Sequence, residues 1–115
     1  MDCFITSTGS FLPGARIGND DIELHLGQLV GEAEVKATVL KMNGIIGRHY
    51  AQDANQQQTH DVYQLACEAI KDCLEQKGEV SKLVSLLAAG TTYAPLSGPG
   101  ICSILHSQLL SLIHI

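Results

Sequence analysis

"LVSLLAAGTT", residues 83–92, is the stretch on which the fold turns. It is short and almost continuously apolar. It lacks both the alternation of a half-exposed strand and the length of a helix. Such a run suits a strand buried on both faces, as in a parallel sheet covered by helices. "YAPLSGPG", residues 93–100, breaks it, because Pro and Gly interrupt regular structure. Beyond the break, "ICSILHSQLL" sets Ile101, Ile104, Leu105 and Leu109 at helical spacing.

Working back toward the N-terminus, "THDVYQLACEAIKDCLEQKG" (residues 59–78) is the clearest helix. Val62, Leu65, Ala66, Ala69, Ile70, Cys73 and Leu74 share one face, with Asp61, Glu68, Lys71, Asp72 and Glu75 off it. Thr59 is the expected cap at its start and Gly78 at its end. "QDANQQQ" before it reads as a polar surface loop, and "IIGRHYA" (residues 45–51) as a short extended segment. A helix over residues 34–42 is expected to bury Val35, Val39 and Met42 and to stop at Gly44. Further back, Asn19 is the expected cap of a helix carrying Ile22, Leu26 and Leu29, with Asp20 and Asp21 near the positive end of its dipole. "CFITSTGSFLPG" (residues 3–14) reads as a first strand. Strands alternating with helices of these lengths give an α/β class, with no internal repeat.

Composition bounds the function. The 115 residues are 45% hydrophobic and 17% charged, enough apolar surface to order a modest core. With two Phe, three Tyr and no Trp, that core must be aliphatic. Twelve acids against seven bases leave a net charge of −5 and no basic stripe, which argues against a nucleic-acid partner. The N-terminus lacks a basic segment followed by an apolar one, and no apolar run reaches membrane-spanning length. The expected location is the cytoplasm, with no membrane partner. Cys3, Cys67, Cys73 and Cys102 form no CxxC pair and have no zinc spacing to the histidines, so no metal site is expected. Cys3, Cys67 and Cys73 read as reduced thiols used as small hydrophobes. Cys102, in a first helical turn, reads as packing because a nucleophile also needs a positioned base. His60 and Asp61 read as capping, and His25 and His106 as partly buried, hydrogen-bonded side chains.

Taken in order, "ITSTGSFLPG" with "GNDDIE", then "NGIIGRHYA", then "LLAAGTTYAPLSGPGICSILHSQL" resemble the N-terminal part of the β-ketoacyl-acyl-carrier-protein synthase III family. The resemblance spans residues 3–109. It implies the N-terminal part of a thiolase-like layered α/β fold, incomplete here, over residues 1–109. It also implies an acyltransferase of fatty acid or polyketide-type lipid synthesis, working by decarboxylative Claisen condensation. In that chemistry a Cys at a helix N-terminus takes an acyl group from a thioester, and a His and an Asn stabilise the enolate left when a malonyl thioester loses carbon dioxide. By resemblance all of these lie beyond residue 109, so the chain holds no catalytic residue and is expected to be inactive by itself. The partners implied are acyl-carrier protein and acyl thioesters, with a homodimer when full length and no separate cofactor.

Asn43 and Arg48 are the residues the resemblance assigns to thioester-cofactor binding. Family members commonly place a Trp and an Arg before the "GI" pair to grip coenzyme A; here "LKMNGIIGR" offers Met42 and Asn43 instead. A Met does not replace a guanidinium stacked on adenine, which favours a carrier-protein donor over acetyl-CoA. Lys36, Lys41 and Arg48 suit an acidic carrier protein, or equally a solvated helix face. Thr91, Thr92 and the "YAPLSGPG" loop fall where the family builds its dimer contact and acyl tunnel. Gly98 stands where a bulky aromatic is common, which implies either a wider tunnel or an ordinary turn.

The last six residues, "LSLIHI" (residues 110–115), match the translation of CTGTCTCTTATACACATC, a transposon mosaic-end sequencing adapter. They are expected to be adapter read-through; a genuine apolar helix end is the alternative. Other rivals are a non-catalytic partner subunit of a condensing enzyme, a chalcone-synthase-like or hydroxymethylglutaryl-CoA-synthase-like relative, and a small α/β binding module.

Overall fold

A computed structural model describes residues 1–76 and 84–113, with side chains through residue 109. The chain forms two compact units, one from Leu12–His60 and one from Met1–Phe11 with Asp61–Ile115.

In the Leu12–His60 unit, strand β1 (Ile17–Gly18) pairs antiparallel with β2 (Gly47–Arg48), Ile17 opposite Arg48 and Gly18 opposite Gly47. A 3-10 turn (Asn19–Asp21) leads into α1 (Ile22–Leu26), and α2 follows over Ala33–Met42. Helix α2 ends as its sequence requires. Asn43 is the C-cap and Gly44 takes the left-handed conformation at φ 70°, which Gly adopts without a Cβ penalty. The face it buries differs from expectation. Val35, Val39 and Met42 are 57%, 57% and 81% exposed, whereas Lys36 and Leu40 are half-buried. Lys36 is drawn inward by Glu23, a partner 13 positions away that helical periodicity cannot register. Asn19 likewise caps nothing; its side chain reaches Ile45 and Arg48 instead.

In the other unit, α3 (Val62–Glu75) packs against α4 (Ile101–Ile113). Their shared core is Tyr63, Cys67, Leu105 and Leu109, flanked by Val62, Ala66, Ile70, Leu87, Ile101 and Ile104. Asp61, not Thr59, caps α3. Its carboxylate accepts from the Gln64 N–H at 2.7 Å, and the Gln64 side chain accepts from the Asp61 N–H at 2.8 Å, a reciprocal capping box. The expected cap at Gly78 lies outside the described residues.

Neither strand read from the edges of this unit forms among the described residues. Residues 3–14 form no ladder. Within them residues 7–10 run along α3, with Ser7 Oγ donating to the Cys73 carbonyl at 2.9 Å, Ser10 N–H to Asp72 at 3.0 Å and Gln76 Nε2 to the Thr8 carbonyl at 3.1 Å. Of the expected buried strand, Leu83 lies outside the described residues and 84–92 take no regular structure. Val84 and Leu86 are exposed, and Leu87 alone among 84–92 is drawn toward the core. A central strand needs neighbours on both edges to take up its N–H and C=O groups, and no strand lies beside this segment among the described residues. Among the described residues the class is therefore mixed α/β, helices with a small two-stranded antiparallel sheet.

Candidate functional site

A cleft of about 530 Å³ opens between α1 and α2. Ile22, Leu29, Ala33, Ala37, Leu40 and Ile45 supply apolar lining, and Asn19, Glu23, Lys36 and Lys41 supply polar groups. Ile22 is its anchor, only 6% exposed. The walls are held by one carboxylate. Glu23 Oε1 accepts from Lys36 Nζ at 2.7 Å and from the Leu29 N–H at 3.0 Å, tying α1 both to α2 and to the connection between them. The Lys36 hydrogen bond, then that of Leu29, holds the Glu23 carboxyl below its ordinary range.

The two residues singled out for thioester binding, Asn43 and Arg48, sit at the edge of this cleft without lining it. Asn43 is exposed, and its Oδ1 accepts the Ile45 N–H at 2.9 Å. Arg48 is half-buried and donates through Nη1 to Asn19 Oδ1 at 3.1 Å. Asn19 Nδ2 donates in turn to the Ile45 carbonyl at 3.0 Å. A relay therefore runs Asn43–Ile45–Asn19–Arg48, and it joins both residues to a side chain that does line the cleft. From sequence Asn19 reads as a helix cap, and Glu23 carries no signal of a role. "ND" before an apolar period looks like a cap whether or not the side chain turns back, so no local signal was available.

A smaller hollow of about 270 Å³ includes His25, Tyr50, Gln52, Asp53 and His60. His25 and Tyr50 stack with ring centres 6.2 Å apart, and His25 Nδ1 is buried with no hydrogen-bond partner among the described residues. His106, expected to be partly buried, is exposed. Among the described residues no three His, Cys, Asp or Glu side chains converge to hold a metal ion, and no helix is long and apolar enough to cross a membrane.

The cysteines divide by environment. Cys67 is buried and donates to Gln108 Oε1 at 3.3 Å; burial pushes its thiol up, away from the thiolate a nucleophile requires. Cys102 is half-buried in the first turn of α4. The loop over residues 93–100 is exposed throughout, and Thr91 Oγ1 donates to the Tyr93 carbonyl at 2.9 Å.

No family model matches the chain. Among curated proteins, it is 29% identical over 109 residues to the beta-ketoacyl-[acyl-carrier-protein] synthase III of Caulobacter vibrioides. The match takes in 95% of this chain but spans only 30% of that relative's length. A likeness of this strength suggests the synthase III family without establishing membership, and the matched region includes the cleft and its relay.

Proposed function

We propose that residues 1–109 are the N-terminal portion of a synthase III-like acyltransferase. The complete protein condenses an acyl thioester with malonyl-acyl-carrier protein in fatty acid or polyketide-type lipid synthesis. The observation that carries this reading is the match along nearly the whole chain to under a third of a curated synthase III. The nucleophilic Cys, and the His and Asn that steady the enolate, then belong to the remainder. The part in hand contributes a wall of the thioester entrance. There Arg48, held by Asn19, and Lys41 face an acidic carrier protein, and the complete enzyme is a homodimer. Without a Trp or Arg before Gly44, the site favours a carrier-protein donor over coenzyme A. Residues 110–115 are, in this reading, encoded by an adapter.

An independent nucleotide read across codon 109 tests the proposal. The expected result is a continuing frame that reaches a Cys at a helix start and, later, a His and an Asn. The protein it encodes should release carbon dioxide from malonyl-carrier protein and form a longer β-keto thioester. An uninterrupted genomic copy with a stop codon directly after Ile115 overturns it.

A further inference from the structure

The Asn43–Gly44 pair has a chemistry of its own that does not depend on the proposed function. Asn43 is exposed at the end of α2, so its amide carbon is open to water. Gly44 follows at φ 70° with no Cβ of its own, and a Cβ built on it would meet nothing within 4 Å, so the space beside its α-carbon is open. The Ile45 N–H already donates to Asn43 Oδ1 at 2.9 Å. Negative charge would gather on that oxygen if a nucleophile added to the side-chain amide carbon, and a fixed donor there stabilises the adduct.

We propose that Asn43 is a site of spontaneous deamidation through a cyclic imide, converting it to aspartate and isoaspartate. Hydroxide takes the Gly44 N–H proton, and the nitrogen attacks Asn43 Cγ, forming the N–Cγ bond of a five-membered ring. The adduct collapses by breaking the Cγ–Nδ2 bond; the leaving nitrogen takes a proton from water and departs as ammonia. Water then opens the ring at either carbonyl. Opening at the side-chain carbonyl restores the normal backbone as Asp, and opening at the main-chain carbonyl leaves isoaspartate. No oxidant or enzyme is required. At ψ −9° for Asn43 the Gly44 nitrogen must first swing toward Cγ. The Gly44 N–H is held to the Lys41 carbonyl only at 3.4 Å, a long bond that opposes the swing weakly.

The product matters to the cleft. A carboxylate replaces a neutral amide at the negative end of the α2 dipole. The isoaspartate form adds a methylene to the main chain and breaks the Asn43–Ile45 turn at the head of the relay.

The chain itself supplies the controls. Asn19 and Asn55 are followed by Asp20 and Gln56, whose Cβ crowds the attacking nitrogen, and Asn19 is further pinned by Ile45 and Arg48. The purified chain is incubated at mildly alkaline pH, digested, and mapped by mass spectrometry with fragmentation that separates Asp from isoaspartate. Exchange of the amide for a carboxyl is expected at position 43 roughly tenfold or more faster than at 55, since Gly lacks the obstructing Cβ. Isoaspartate should exceed aspartate, and the rate should rise with pH. An unconverted Asn43, conversion no faster than at Asn55, or aspartate without isoaspartate each overturn the proposal. Asn43→Gln, whose longer side chain disfavours the five-membered ring, should abolish the product.

Discussion

At the scale of single residues, Gly9 shows what absence of a side chain permits. A Cβ there would stand 2.5 Å from the Cys73 nitrogen and 2.7 Å from its Cβ, and it would also meet the Ala69 carbonyl oxygen. Two of these are backbone atoms of α3, which cannot turn aside as a flexible side chain can. Gly9→Ala should therefore lower stability by about 1–3 kcal/mol, the usual cost of forcing atoms into a filled space. Gly90→Ala, with nothing within 4 Å, is the matched control and should change little. Urea midpoints of the two variants measure the difference. Glu23 gives a prediction with a sign. Its pKa is lowered in the folded protein, chiefly by the Lys36 hydrogen bond and then by the Leu29 N–H. The folded state therefore holds its proton less tightly than the unfolded chain does. The stabilisation is complete above the unfolded pKa and is lost as pH falls through the folded one. Because Glu23 is exposed and Lys36 only half-buried, the effect is modest and shrinks with salt. Glu23→Gln should flatten the acid side of a stability-against-pH curve at low ionic strength and leave its neutral-to-alkaline shape unchanged. Asn19→Ala should cost about 0.5–1.5 kcal/mol by removing its hydrogen bonds with the Ile45 carbonyl and Arg48. If the proposed function holds, it should also raise KM for the carrier-protein thioester more than it lowers kcat in the full-length protein.

At the scale of elements, α3 and α2 differ in how much of them could be read in advance. Helix α3 combines an apolar stripe with a start signal, and it forms over Val62–Glu75 as expected. Even so, the stripe alone misplaced its centre. Tyr63, left off the apolar face, is among the buried residues, while Ala69 and Cys73 lie on the side that meets residue 9. Two partners cover two faces of one helix, and periodicity reports only that a face is apolar. Of the two capping residues read from the sequence, Asp61 takes the position and Thr59 does not, because Asp61 with Gln64 closes a reciprocal box. Asp61→Ala should lower stability by about 1 kcal/mol, seen as an earlier loss of helical circular dichroism on heating; Thr59→Ala should be close to silent. Helix α2 is legible as a helix but not in its packing, since one of its two half-buried residues is a lysine fixed by a carboxylate far away in sequence. The cleft inherits the same limit: its apolar lining follows from residue type, but the Asn19 and Glu23 bonds that shape it are long-range.

At the scale of the whole molecule, the segments most strand-like in sequence form no sheet among the described residues. Phe4 and Ile5 are 77% and 88% exposed, and Val84 and Leu86 are 57% and 82% exposed. Burying a side chain of this kind is worth about 1.5–3 kcal/mol, so leaving several in water forfeits a large share of a small domain's margin. With no strand partner among the described residues, the N–H and C=O groups beside them make ready templates for further strand pairing. If the proposed function is right, the same residues become interior when the rest of the protein supplies parallel neighbours. Hydrogen exchange distinguishes the two states. In the 115-residue chain the amides of residues 84–92 should exchange at nearly the rate of an unstructured peptide, and the chain should bind hydrophobic dyes and scatter light as its concentration rises. Leu86→Lys should suppress that association without altering helical content, because Leu86 lies outside the α3–α4 core. In the complete protein those amides should be among the slowest to exchange. Strong protection already present in the short chain would mean that the segment finds its sheet unaided, and the argument that this run of apolar residues awaits missing neighbours would fail.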